Sequence, residues 1–117
     1  MNKLGFTSDS LVIYEQTRIL RLQYKDILCF TIDRPYLVIT TNAKQHICVY
    51  VSLSKMVQML PDYFCLCSQS TAVNLLYVCS YGEQNGHIVV NLSNSDSYIV
   101  SRRCKKNIRN KLLNINK

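Results

Sequence analysis

The sequence predicts a mostly β fold with one short internal helix and a second helix near its C-terminal end. Three observations carry that reading. Short apolar runs recur along the whole chain, separated by turn residues rather than long polar linkers. Apolar residues at helical spacing occur in only two places, residues 53–60 and 102–113. Nearly half of the 117 residues are hydrophobic (48%), enough to bury a core and too many for a disordered chain. One domain spanning residues 1–117 is expected at this length.

The elements follow in order. "DSLVIYE" and "TRILRLQ" read as strands joined at Gln16 and Thr17. Ile19, Leu20 and Leu22 mix with arginines, the pattern of a half-exposed edge. "KDILCFTI" is an apolar strand that "DRP" breaks, because proline and its predecessor favour turn or extended geometry. "YLVITT", the turn "NAK" and "QHICVYV" make a second hairpin. Ser52 then offers an N-cap, Leu53, Met56, Val57 and Leu60 recur at helical spacing, and Pro61 stops the helix. "FCLCSQSTAVNLLYVCSYG" is strand-rich again, interrupted by the polar "SQS". "HIVVNL" and "SYIVS" are the last strands, set off by the turns "EQNG" and "SNSD". Ser101 reads as the cap of a terminal helix in which Cys104, Ile108 and Leu112 recur every four residues and face the sheet.

Several function classes drop out. The six cysteines lie largely in apolar runs such as "ILCF", "HICVY" and "YVCS", where a free thiol acts as a small hydrophobe, so reduced cysteines are expected. Cys65 and Cys67 have the wrong spacing for a zinc half-site and no second pair accompanies them; no metal and no cofactor are expected. His46 and His87 lack an evident carboxylate or thiol partner, and the acids form no spaced pair, so no catalytic residue is named. No stretch approaches the roughly 18 apolar residues of a membrane span and no signal peptide opens the chain, which points to a soluble cytoplasmic protein.

Charge is the strongest local signal. Through Asp96 the seven acids and seven bases cancel; beyond it there is no acid, and the last basic residues carry the whole net charge of +7. That tail reads either as a solvated basic end or as the footprint of a polyanion. Arg102 and Arg103 fall in the expected first turn of the terminal helix, where each cation opposes the macrodipole by about 0.3–1 kcal/mol. A bound anion would reverse that sign, with Ser101 as cap and phosphate donor.

The same residues bear a family likeness. "KDILCF", "VSLSKMVQMLPDYF", "SQSTAVNL" and "YIVSRRCKKNI" occur in the order of blocks found in the LytTR DNA-binding domain, the output domain of bacterial response regulators in two-component systems. The resemblance covers residues 12 to 113. It implies an elongated, mainly antiparallel β fold with small helices, whose loops rather than a recognition helix enter successive major grooves of double-stranded DNA. Carried over by position, the base-reading candidates are Arg34, Ser68, Gln69, Arg102 and Arg103. Ser70, Ser101, Lys105, Lys106 and Arg109 are the phosphate-contact candidates. A sequence-specific transcriptional regulator without catalysis is the function implied, with a second copy on repeated sites as a further partner. The chain shows no receiver domain, so it reads as a stand-alone regulator or an excised module with a separate signalling partner.

One block departs from the family. Where members carry Arg-x-His-Arg-Ser or a close variant, this chain has Leu66, Cys67, Ser68, Gln69 and Ser70, keeping only the serine. Gln69 retains an amide able to read adenine. The loss of three polar or basic residues motivates the alternative, a non-catalytic protein-interaction module on the same β scaffold.

Overall fold

The first hairpins form because alternate residues find a core on one side only. In the computed structural model, which describes residues 3–49 and 51–115, β1 (Lys3–Phe6), β2 (Ser10–Tyr14) and β3 (Ile19–Gln23) make an antiparallel sheet in that order. Leu11 and Ile13 of β2 are fully buried, the period-2 signature of a strand with one covered face. β3 is an edge, its Arg21 exposed, as its mixed sequence predicts. β1 was not expected: "KLGF" is too short to show a period.

The central sheet has five antiparallel strands in the order β6-β5-β4-β8-β7. They are β4 (Ile27–Asp33), β5 (Tyr36–Thr41), β6 (Gln45–Val49), β7 (Phe64–Ser68) and β8 (Thr71–Asn74). Its inner strands are covered on both faces, which is why "ILCF" and "TAVN" are buried at every position rather than at every second one. One face packs Ile27, Phe30 and Phe64 against Leu11 and Ile13. The other packs Leu28, Cys29, Cys65 and Val73 against the third sheet and the C-terminal helix.

That third sheet, in the order β11-β10-β9, comprises β9 (Val78–Gln84), β10 (His87–Leu92) and β11 (Ser97–Ile99). The β9–β10 turn is narrower than "EQNG": Asn85 and Gly86 alone form it, with φ of 52° and 83°. Asparagine and glycine tolerate that left-handed pair best. The stacked sheets give an elongated body of 45 × 32 × 25 Å.

Both helices are shorter than their periodicity suggested. α1 covers Leu53–Val57, with Ser52 at the cap position but no capping bond from its side chain. Leu60 then closes a turn on the Val57 carbonyl, so the apolar spacing continues after the helix has ended. α2 covers Lys105–Asn114, not 102–113, and its cap position is Cys104. Ser101 is therefore not the helix cap. Cys104 donates its N–H to the Ser101 carbonyl at 3.0 Å, closing a separate turn over 101–104. Ile108 is fully buried, with Cys104 and Leu112 packed beside it, as the four-residue recurrence predicts.

Two short 3₁₀ turns were not expected, Tyr24–Asp26 between two strands and Leu75–Tyr77 inside an apolar run. Of the six thiols, all free, four are buried, Cys104 is half-buried, and Cys79 faces solvent from edge strand β9. Tyr50, read as part of the sixth strand, and Lys117 of the basic tail lie outside the described residues.

Candidate nucleic-acid interface

Antiparallel pairing decides which loops share an end of the molecule. The last residues of β4 lie beside the first of β8, with Thr31 opposite Thr71. The β4–β5 turn at Arg34–Pro35, whose peptide bond is cis, therefore neighbours the β7–β8 turn at Gln69–Ser70. A backbone bond fixes the pair: Ile32 N–H donates to the Ser70 carbonyl at 2.9 Å. A second ties in the turn before α2, since Ser101 N–H donates to the Cys67 carbonyl at 2.8 Å. Three segments separated widely in sequence thus meet on two main-chain hydrogen bonds.

Between them lies a cleft of about 440 Å³. Arg34, Ser68, Gln69, Ser101 and Arg103 line it, all of them expected from the sequence. Ser52, Leu53 and Ser54 at the start of α1 line it too, with Leu66 and Cys104. Sequence reasoning missed the two serines as site residues, having used Ser52 only as a cap. Nothing in the local sequence marks them, because the cleft is assembled from distant segments. A neighbouring groove of about 450 Å³ shares Ser68 and Ser101 and adds Ser70, Thr71, Tyr98 and Ile99. No aspartate or glutamate lines either hollow.

The turn is internally ordered. Ser70 N–H donates to Ser68 Oγ at 3.2 Å, and the two hydroxyls lie 3.4 Å apart. Ser52 and Ser54 Oγ are 3.1 Å apart. Beneath the turn, burial pushes the Cys67 thiol up to about 12, so it remains an inert thiol. Tyr98 in the adjoining groove is also pushed up by burial, then by its bond to Cys29, and keeps its proton.

The remaining candidates are placed differently. Arg102 is exposed in the 101–104 turn but does not line the cleft. It and Arg103 precede α2, so the cations in the first helical turn are Lys105 and Lys106, and the dipole argument passes to them. Lys105, Lys106 and Arg109 of α2 are all exposed. Lys111 is spent on the fold: its Nζ donates to the Asp62 carbonyl at 3.0 Å, fixing α2 against the start of β7.

The family pattern for the LytTr DNA-binding domain matches residues 17–113. The chain belongs to that family. A solved LytTr DNA-binding domain, from a Bacillus cereus protein assigned as a methyl-accepting/DNA response regulator, superposes with a TM-score of 0.75. It shares 16% sequence identity, with 92% of this chain and 99% of that one covered. No curated protein matches. This LytTr domain is accordingly a DNA-binding module, and the business of its family is binding rather than catalysis. Among the described residues no helix is long and apolar enough to cross a membrane, and no group of three or more His, Cys, Asp or Glu is placed to hold a metal.

Proposed function

We propose that this LytTr domain is a cytoplasmic, sequence-specific transcriptional regulator that reads the major grooves of double-stranded DNA with its loops. One observation carries the reading: Arg34, Gln69 and Arg103, from three separate loops, line one cleft that contains no acid. Arginine meets the O6 and N7 of guanine with two parallel hydrogen bonds, and glutamine does the same at adenine. Ser68 adds a hydroxyl to a base edge, and Arg102 reaches outward beside Arg103. Ser70, Ser101, Lys105, Lys106 and Arg109 serve the phosphates, which fix register without reading sequence. The functional unit is a single domain over residues 1–117, acting on repeated sites with a second copy and taking its signal from a separate partner.

Selection of bound fragments from the source genome, followed by titration of the selected site and a scrambled one across a salt series, tests this. A specific regulator binds the selected site at least about a thousandfold more tightly than scrambled DNA. Weak, sequence-blind binding would defeat the proposal and favour the protein-interaction module that the altered "LCSQS" loop suggests.

A further inference from the structure

Hydrogen bonding to bases and phosphates gives work to the polar residues of the cleft and none to its apolar ones. Leu53, Leu66 and Cys104 also line it. Leu53 is buried, while Leu66 and Cys104 are half-buried. Leu66 is the larger of the two that keep some surface, and it lies in β7 three residues before the exposed Gln69. It also packs against the core cluster that contains Phe30 and Phe64. Such a side chain is held before any ligand arrives and loses little rotamer freedom on contact. In a major groove, base edges offer donors, acceptors and one apolar group, the 5-methyl of thymine. An aliphatic side chain set against a donor or acceptor strips it of water and returns no bond. Against the methyl it gains buried apolar area. Leucine at this position therefore favours one base over the other three.

We propose that Leu66 is a specificity-determining residue that reads thymine through its 5-methyl group, close to the adenine read by Gln69. The inference rests on the DNA reading of this cleft and adds to it a base chosen without a hydrogen bond.

The test compares thymine with deoxyuridine in the DNA, since the two bases differ by that methyl alone. Each thymine of the selected site is replaced in turn, and binding of the full chain is measured for wild type, Leu66→Ala and Leu66→Met. Every variant is compared with itself on two DNAs, so a loss of folded protein cancels. Wild type should bind about fourfold more weakly when one particular thymine loses its methyl, the worth of burying one such group. Leu66→Ala should bind the two forms of that position alike. Leu66→Met keeps an apolar side chain of similar size and should keep most of the preference. A packing role alone gives no such coupling between residue and base. A specific site with no fixed thymine, or one indifferent to all its methyls, would overturn the inference and leave the DNA reading standing. A fourfold loss that persists in Leu66→Ala would also overturn it, because another group then reads the methyl. Sequence-blind binding by wild type would defeat both the inference and the reading beneath it.

Discussion

The two ends of the central sheet use polar groups in opposite ways. Where β4 begins and β8 ends, polar side chains are turned inward and spent on the fold. Asn74 is fully buried; its Nδ2 donates to the Ile27 carbonyl at 2.9 Å and to that of Tyr24 at 3.4 Å, and its Oδ1 accepts from Leu76 N–H at 2.9 Å. One amide thus stitches both 3₁₀ turns together. Tyr77 Oη adds a bond to the Lys25 carbonyl, and Asn42 N–H donates to Asp26 at the next turn. At the other end, Ser68, Gln69, Ser101 and Arg103 line an open cleft, and main-chain bonds hold the loops in place with the Ser68 hydroxyl accepting from Ser70 N–H. Polar side chains at the first end are spent on the fold; those at the second line the cleft.

Substitutions should separate the two ends, and the largest effect belongs to the stitched one. Asn74→Ala leaves buried carbonyls and an N–H without a partner, which should cost about 2–4 kcal/mol in denaturant unfolding. DNA affinity of the molecules still folded should hold; a matching loss of affinity would mean the ends are not separable. Arg103→Ala should do the reverse. Stability should change by less than about 0.5 kcal/mol, while discrimination at one base position falls by about 1–3 kcal/mol in a binding assay over single-base variants. Equal weakening on every sequence would make Arg103 a phosphate contact.

Lys106→Ala is expected to be gentler. It should weaken selected and scrambled DNA alike and reduce the slope of log affinity against log salt by about one. An unchanged slope would take α2 off the DNA. The smallest effect is a pH dependence at the stitched end. Burial, then the charges of Lys44 and Arg18, hold His46 below its ordinary 6.5. The folded state resists a proton that the unfolded chain accepts, so the contribution is complete above about pH 6.5 and is lost as pH falls below it. His46→Gln should flatten that decline in a series of thermal melts, without altering specificity.

How much of this was readable in advance depends on the range of the cause. The hairpins around "NAK" and Gln16–Thr17 were legible, because apolar alternation and turn residues are local signals. The burial of Ile108 was legible for the same reason. The two 3₁₀ turns were not: Tyr24–Asp26 and Leu75–Tyr77 are held by Asn74, whose partners on the first lie some fifty positions away. The start of α2 was misjudged because Ser101 and Cys104 close a turn of their own, which the spacing of apolar residues cannot distinguish from a helical one. Arg34, Ser68, Gln69 and Arg103 were found through family likeness and then brought together by strand pairing. Ser52 and Ser54 escaped because only three-dimensional packing sets them beside those loops.

The loops are fastened by Ile32 N–H to the Ser70 carbonyl and by Ser101 N–H to the Cys67 carbonyl, and neither bond consults a side chain. Any residue but proline can donate at positions 32 and 101, and the side chains at 68, 69 and 103 take no part in either bond. On the proposed function, the scaffold is a socket for interchangeable readers. Transplanting other residues at those three positions should retarget the domain while leaving the two fastening bonds intact, and "LCSQS" would then be one setting of the loop among several.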